Sequence, residues 1–204
     1  MTDTYTRPED DPTLIDWGSR QAAAVVPFDV IGGRPVNPYA PTGVRHGRGQ
    51  LWHWGEQVCA DAIVTAFDED GHRWLVMVER GDGHGWAFPG GTVDPDDEGP
   101  LAAAIRELQE ETCLALEGAW EALPARYVPD PRASDEAWMV TVPARLHLGT
   151  VRRSDLPVPV GADDAARAAW VRADGYADLV AYLKATYQGE VFAAHEAVLY
   201  DLLG

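Results

Sequence analysis

The sequence predicts an α/β protein in which a β-sheet is packed between helices and preceded by an irregular extension. Short apolar runs of strand composition alternate with helical segments over residues 57–204, a pattern typical of a sheet covered by helices. Residues 1–56 are rich in Pro, Gly and Trp and show only weak periodicity. We therefore predict one domain over residues 57–204 and an N-terminal extension over residues 1–56 that packs onto it.

The strands are predicted from apolar runs bounded by turn-forming residues. The sequence Asp-Glu-Asp-Gly at residues 68–71 predicts a hairpin turn. In the extension we expect disorder over residues 1–12, which are acidic and have little to bury, and a short β-ribbon near residues 52–54. The predicted strands of the domain are 58–67, 74–78, 86–88, 138–148 and 168–171.

Helices are predicted from their start signals and from apolar spacing. Pro100 suits the first turn of a helix. An apolar stripe at i, i+4 and i+7 follows it, formed by Leu101, Ile105 and Leu108. Asp174 is the predicted N-cap of a helix over residues 176–187, and a last helix is predicted over residues 191–202. The apolar side of the helix that starts at Pro100 can then dock on the sheet, while its other side faces a cleft.

The net charge of the chain is −17. A strongly negative protein is a poor binder of nucleic acid and of anionic membranes, both of which attract basic surfaces. The N-terminus has no basic and apolar leader, and no apolar run approaches bilayer length. These observations predict a soluble cytoplasmic protein.

The two cysteines, Cys59 and Cys113, have apolar neighbours and do not form a metal-spaced pair. We expect both to be buried and reduced. Most tryptophans near the predicted strands are expected in the core, namely most of Trp52, Trp54, Trp74, Trp86, Trp138 and Trp170.

The segment from Phe88 to Leu114 carries the most specific pattern of the chain. Glu107, Glu110 and Glu111 are spaced i, i+3 and i+4, so they share one face of a helix. Like charges on one face repel unless a cation lies among them. Hard oxygen ligands suit Mg²⁺ or Mn²⁺, with phosphate oxygens completing the shell. The alternative is an ordinary solvated acidic face.

The sequence before this helix favours the metal interpretation. The turn at residues 88–91, Glu98 and the following Arg106 together resemble the signature of the Nudix hydrolases, G-x5-E-x7-R-E-U-x-E-E-x-G-U with U aliphatic. The chain departs from that signature twice. The loop before Glu98 holds one extra residue, so either Asp97 or Glu98 could take the first acidic position. Cys113 also replaces the late glycine.

This resemblance implies an α/β/α sandwich with a mixed β-sheet and a set of site residues. The metals would be held by Glu107, Glu110 and Glu111, with the carbonyl of Gly90 as a possible further ligand. Glu107 or Glu110 could also orient or deprotonate the attacking water. Arg106 would pair with Asp97 or Glu98 and keep the loop against the helix.

Three further segments resemble the mitochondrial-type ADP-ribose pyrophosphatases and the related cytosolic domain of an ADP-ribose-gated TRP channel. They lie at residues 33–55, 127–139 and 161–195. The resemblance implies that Asp130 and Arg132 hold the distal ribose, since a carboxylate accepts sugar hydroxyls and an arginine binds oxygens in a fork. The alternative is a structural Asp–Arg pair.

The remaining substrate contacts implied by this resemblance are weaker. His195 would point at the nucleotide and Phe192 would stack on adenine, although such a histidine is more often a satisfied or surface residue and such an aromatic more often lies in the core. Arg48, between two glycines, could reach the diphosphate. Second-tier candidates near the metals or an active-site water are Asp163, Asp164 and Glu136.

We therefore predict Mg²⁺-dependent hydrolysis of the diphosphate of ADP-ribose to AMP and ribose 5-phosphate, by a monomer or homodimer. One alternative is a Nudix pyrophosphatase for another nucleoside diphosphate derivative, such as NADH or a nucleotide sugar. Another is a non-catalytic ADP-ribose sensor, which the intact acidic helix disfavours.

Overall fold

A computed structural model describes residues 11–39 and 41–204. By its internal contacts the chain forms two compact units. The N-terminal unit contains the described residues up to Val58 together with Ala125–Thr141, and the sheet unit contains Cys59–Pro124 and Val142–Gly204. The division into extension and domain at residues 56 and 57 stays a prediction. Of the segment expected to be disordered, residues 1–10 lie outside the described residues.

The elements are as follows. The helices are α1 (Trp17–Ala23), α2 (Pro100–Thr112), α3 (Tyr176–Tyr187) and α4 (Glu196–Leu203). The strands are β1 (Asp29–Ile31), β2 (Arg34–Val36), β3 (Gly55–Phe67), β4 (Arg73–Arg80), β5 (Trp86–Ala87), β6 (Gly90–Thr92), β7 (Glu121–Ala122), β8 (Arg126–Val128), β9 (Ala137–Thr141), β10 (Ala144–Thr150) and β11 (Ala165–Arg172). Short 3₁₀ turns lie at Pro12–Leu14, Arg153–Asp155 and Ala193–His195.

The sheet unit is built on a mixed sheet with strand order β11-β4-β3-β10-β7. β3 and β4 form the predicted antiparallel hairpin, and β11 runs antiparallel to β4. β10 runs parallel to β3, with His147 opposite Thr65. The short β5 pairs with β4, and β6 pairs with β3. This pairing brings the glycine turn beside the middle of β3.

Helices cover both faces of this sheet. Alternate residues of β3, including Ala62 and Val64, pack on one face against Leu108 of α2. Ile63 lies on the other face with Leu183 of α3 and the residues of α4. Leu108 is fully buried, and truncating such a leucine to alanine costs about 2–5 kcal/mol. The α/β class and the sandwich of sheet and helices are confirmed.

The N-terminal unit contains two antiparallel strand pairs, β1–β2 and β8–β9. Its core is an aromatic cluster in which Phe28 makes edge contacts with both Trp17 and Trp138. The predicted ribbon near residues 52–54 is wrong, because the observed ribbon is β1–β2 and residues 52–54 are bends. Asp11 and Pro12, expected to be disordered, form the cap and first residue of a 3₁₀ turn.

The predicted strand over residues 138–148 is also wrong. The chain forms two strands there, β9 and β10, separated by Val142 and Pro143. Proline has no backbone N–H to donate to a ladder and is excluded from the interior of a central strand. The two strands also belong to different units.

The ends of the helices differ in part from the predictions. α3 spans the predicted range, but its N-cap is Gly175, since the carboxylate of Asp174 accepts from the backbone N–H of Arg73 at 2.6 Å. The predicted last helix starts later than expected. Val191 forms a bridge with Trp86, and a 3₁₀ turn precedes α4.

Three expectations about exposure can be compared with the structure. Cys59 is buried as predicted, but Cys113 is exposed. Cys113 ends α2 in the left-handed conformation (φ 56°), which turns the chain away from the apolar stripe of the helix. The tryptophans are mostly buried as expected, apart from Trp52, which is 75% exposed. No helix in the described part of the chain is long and apolar enough to cross a membrane.

Candidate active site

The glycine turn at residues 88–91 lies against β3 and α2. Gly90 pairs with Asp61 of β3, and its backbone N–H donates to a carboxylate oxygen of Glu111 at 2.9 Å. A β-carbon on Gly90 would overlap the Asp61 carboxylate, and one on Gly91 would overlap the Glu107 carboxylate. A β-carbon on Gly90 would also overlap the backbone carbonyl of Ala60, so glycine at this position allows the turn to pair this closely with β3.

Glu111 is the most buried carboxylate of this face, at 7% exposure. Burial disfavours its charged form and raises its pKa to about 7, against the lowering effect of the Gly90 hydrogen bond. The nearby Glu107 and Asp164 raise it further, and Arg80 lowers it. Burial also raises the pKa of Glu107. The chain therefore places an incompletely compensated negative charge beside the glycine turn.

Arg106 links the acidic loop to the helix. Its guanidinium donates to both carboxylate oxygens of Asp97, at 3.1 and 3.0 Å, and to Glu107 and Glu110, at 2.9 and 2.8 Å. These hydrogen bonds raise the pKa of Arg106, and the bond to Asp97 has the largest effect. In this structure Arg106 therefore pairs with Asp97 and not with the exposed Glu98. Which of the two residues takes the first acidic position of the signature stays a prediction.

A divalent cation fits the chemistry of this face. Its side chains offer only carboxylate oxygens, which are the ligands that Mg²⁺ and Mn²⁺ prefer. The buried Glu111 carboxylate lacks full compensation, so a cation beside it would offset its burial cost. Among the described residues no group of three His, Cys, Asp or Glu side chains is already arranged as a metal cage. The contacts explain this, because Arg106 engages two of the glutamates and Gly90 engages the third.

His195 and Phe192 point into the sheet unit. His195 is 7% exposed, and its Nδ1 accepts the backbone N–H of Phe88 at 3.1 Å. Its Nε2 lies 3.6 Å from the Asp61 carboxylate. Burial lowers the pKa of His195, which favours the neutral ring that this hydrogen bond requires. The geometry supports a role in positioning the glycine turn, and contact with a nucleotide stays a prediction.

Arg80 is a residue of this region that the sequence analysis did not identify. Its guanidinium lies 4.7 Å from the ring centroid of the buried Phe192 and is held by Asp82. It lies close enough to lower the pKa values of both Glu111 and His195. Because Phe192 is buried, its ring does not present an open stacking surface, and its contact with adenine stays a prediction. The sequence feature that could have identified Arg80 is its position at the end of β4, before the glycine turn.

The loop with Asp163 and Asp164 lies at the C-terminal end of α2. The backbone N–H of Ala162 donates to the carbonyl oxygen of Glu111 at 3.1 Å, and Asp164 raises the pKa of Glu111. Asp163 has a left-handed backbone (φ 51°). The structure therefore places this loop beside the acidic face, and a contact of Asp163 or Asp164 with the metals stays a prediction.

Asp130 and Arg132 lie in the N-terminal unit and form a bidentate pair. The guanidinium of Arg132 donates to the two oxygens of Asp130 at 2.9 and 2.7 Å. The Asp130 side chain is 3% exposed and that of Arg132 is 39% exposed. A buried carboxylate thus fixes a half-exposed guanidinium, an arrangement compatible with both the structural and the ligand-binding interpretation. Gly49 packs so closely against the backbone of Arg132 that a β-carbon would not fit.

Glu136 in the same unit has a full set of hydrogen bonds. One oxygen accepts from Arg34 and His46, and the other from Arg34 and the backbone of Gly47. These bonds lower its pKa to about 2 against the opposing effect of burial. The geometry supports a role in holding the N-terminal loops, and the service of Glu136 to a water stays a prediction. Arg48 donates to the carbonyl of Trp52 at 2.7 Å, and its predicted diphosphate contact stays a prediction.

Comparison with known proteins places this geometry in a family. The family model described as NUDIX domain matches residues 58–192, which include the glycine turn and the acidic helix. The chain belongs to the Nudix family. This Nudix chain is 33% identical over 176 residues to a protein of Rattus norvegicus named ADP-ribose pyrophosphatase, mitochondrial. It is 32% identical over 182 residues to a transient receptor potential cation channel subfamily M member-like 2 of Nematostella vectensis.

These matches cover different shares of each protein. The pyrophosphatase match spans 71% of this chain and 49% of the relative, and the channel match spans 76% and 12%. The Nudix chain therefore covers about half the length of one relative and a small part of the other. Among solved structures, the NUDIX domain of Shewanella oneidensis NrtR, complexed with ADP ribose, has a TM-score of 0.52 at 19% identity, covering 80% of this chain and 90% of that one. At this identity the likeness shows the fold alone.

Proposed function

We propose that this Nudix hydrolase cleaves the diphosphate of ADP-ribose to AMP and ribose 5-phosphate with Mg²⁺ or Mn²⁺. The observation that carries the proposal is the acidic face of α2, held against the glycine turn by the Gly90–Glu111 hydrogen bond. The specificity for ADP-ribose is supported by the 33% identity to a relative with that named activity. In this proposal the half-exposed guanidinium of Arg132, held by Asp130, binds the distal ribose.

The metal ligands in this proposal are Glu107, Glu110 and Glu111, with the carbonyl of Gly90 as a further candidate. When bound, the cation neutralises diphosphate charge and acidifies the attacking water. Arg106 positions Glu107 and Glu110 from its anchor on Asp97. Its guanidinium is engaged by these carboxylates and by the carbonyl of Thr92, so we assign it an orienting role.

The environments of Glu111 and Glu107 support different roles for these two carboxylates. Glu111 is buried and has a pKa near 7, which suits a group that must be ionised only when a cation is close. Glu107 is the candidate that orients or deprotonates the water, because it is partly buried and lies against Gly91. Positioning and charge stabilisation provide most of the acceleration in phosphoryl transfer.

His195 and Arg80 contribute to the same site as positioning residues. His195 accepts the Phe88 N–H and thus fixes the residue that precedes the Pro89–Gly90 turn. Arg80 lies near the carboxylate of Glu111, where it offsets negative charge that an anionic substrate would otherwise meet. A diphosphate is attracted to such a face only if cations reverse the local sign.

A hydrolysis screen tests the proposal. The purified chain is incubated with Mg²⁺ and ADP-ribose, NADH, UDP-glucose, diadenosine polyphosphates or nucleoside triphosphates, and the products are separated by chromatography. We expect AMP and ribose 5-phosphate from ADP-ribose, with kcat/KM at least about tenfold above that for the other compounds. A preference for NADH or for a triphosphate would reject ADP-ribose as the substrate. Tight ADP-ribose binding without turnover at any Mg²⁺ concentration would indicate a sensor.

A further inference from the structure

A second cleft lies on the sheet unit, on the face of the sheet that α2 does not cover. It has a volume of about 490 Å³, within the range of about 300–1,000 Å³ that is usual for small-molecule sites. Ala144 and Leu146 of β10 face the α2 cluster, so Arg145 and His147 project to the opposite face. The cleft is lined there by these two residues together with Thr65, Phe67, Arg73 and Glu121.

The cleft is separate from the acidic face of α2. Phe67 lies six residues farther along β3 than Asp61, the neighbour of Gly90. At the rise of an extended strand, this spacing corresponds to about 20 Å. Neither the glycine turn nor the acidic residues of α2 line the cleft.

The charge of this cleft is opposite to that of the chain as a whole. The chain has a net charge of −17, but two arginines and one histidine meet here with a single carboxylate, Glu121. Only one guanidinium nitrogen of Arg145 is engaged with Glu121, at 2.6 Å. A local excess of cationic donors favours an anion.

The histidine and the second arginine are oriented by neutral groups. His147 contacts the hydroxyl of Thr65 through Nδ1 at 3.0 Å, and within the described chain its Nε2 has no hydrogen-bond partner. Arg73 donates through Nη1 to the carbonyl of Leu202 at 3.2 Å. Both side chains therefore keep hydrogen-bonding capacity for a ligand, and their positions are fixed before it binds.

An aromatic ring completes the site. Phe67 makes an edge contact with His147, with ring centroids 5.4 Å apart, and Arg73 lies 5.8 Å from the Phe67 centroid. Rings and guanidinium planes are the usual partners of nucleobases, and arginine forks bind phosphate. We propose that this cleft binds a nucleoside monophosphate, with its phosphate on Arg145 and His147 and its base on Phe67 and Arg73.

The test is an amide NMR titration of the isotopically labelled chain in EDTA, with AMP and inorganic phosphate as probes. Because no metal and no turnover are involved, the outcome is independent of the proposed hydrolysis. We expect AMP to shift the amide signals of Phe67 and His147, and to bind at least about tenfold more tightly than phosphate. Shifts confined to the Gly90 turn, or equal affinity for AMP and phosphate, would overturn the proposal.

Two variants make the test specific to this cleft. Arg145→Ala removes a charged donor and should weaken AMP binding about tenfold or more. Glu121→Gln is the matched opposite change, because it frees Arg145 from its acidic partner and should strengthen binding several-fold. Both residues are exposed, and the dispersion of the same spectra reports whether each variant is folded. Wild-type affinity in Arg145→Ala would overturn the proposal.

Discussion

Glu111→Gln is the substitution that most directly tests the acidic face. Glutamine keeps the size of the side chain and an oxygen that can accept the Gly90 N–H, whose present bond is 2.9 Å long. It removes the charge that burial disfavours. The metal-free variant should therefore be more stable than the wild type, although it should lose turnover by at least about 100-fold, the usual scale for a lost charge-stabilising group.

The expected gain in stability follows from the pKa of Glu111. Burial raises this pKa from an ordinary value of 4.5 to about 7. Between these two values the unfolded chain has lost the proton and the folded chain still holds it, so the free energy of unfolding falls as pH rises. The resulting loss in the free energy of unfolding is complete above pH 7, where it amounts to about 3 kcal/mol. At pH 5 the loss is below about 1 kcal/mol.

The assay is urea unfolding of wild type and Glu111→Gln in EDTA at pH 5 and pH 8. We expect the variant to be more stable by about 3 kcal/mol at pH 8 and the difference to shrink at pH 5. Adding Mg²⁺ at pH 8 should stabilise the wild type more than the variant. Glu110→Gln is the matched control, because the Glu110 side chain is 45% exposed and its neutralisation should not stabilise the chain. Equal stability of wild type and Glu111→Gln at both pH values, or an active variant, would refute the reasoning.

Three further substitutions test other parts of the molecule. Arg132→Ala should raise KM for ADP-ribose about tenfold or more, and equal losses on a substrate lacking the distal ribose would remove Arg132 from the sugar site. Glu136→Gln should lower the free energy of unfolding in urea by about 2 kcal/mol at pH 7, after allowance for the partly exposed Arg34. Because the pKa of Glu136 is about 2 in the folded chain, this loss of stability should disappear as the pH falls from 4.5 towards 2. Cys113→Gly should stabilise the chain by up to about 1 kcal/mol by relieving the left-handed backbone, and Cys113→Ser, which keeps the strain, should not.

The parts of the fold that follow from local patterns were predictable. The helix that starts at Pro100 and the β3–β4 hairpin are specified by short-range signals, since apolar spacing selects the buried face and Gly71 closes the turn. The grouping of Glu107, Glu110 and Glu111 on one helix face follows from the same spacing. The pairing of Glu111 with Gly90 also agrees with the predicted proximity of turn and helix.

The remaining features depend on contacts between residues far apart in sequence. Ala125–Thr141 joins the N-terminal unit through partners such as the Arg34–Glu136 pair, which spans 102 residues. No local periodicity encodes a pairing over this distance. The apolar run over residues 138–148 also gave no sign that the chain forms two strands there, separated at Pro143. The inward orientation of His195 likewise depends on Phe88, 107 residues away. Sequence spacing identified these residue types but not the partners that fix their roles.

The charges around α2 explain why the acidic face suits a function that requires a cation. Arg106 is the guanidinium that contacts this face, and it is shared among Asp97, Glu107 and Glu110. One positive charge cannot balance three carboxylates, and Glu111 is left to the backbone of Gly90 and the more distant Arg80. Natural sequences remove such buried charges unless they serve a function. The cost of burying Glu111 is therefore the cost that the divalent cation of the proposed function would offset.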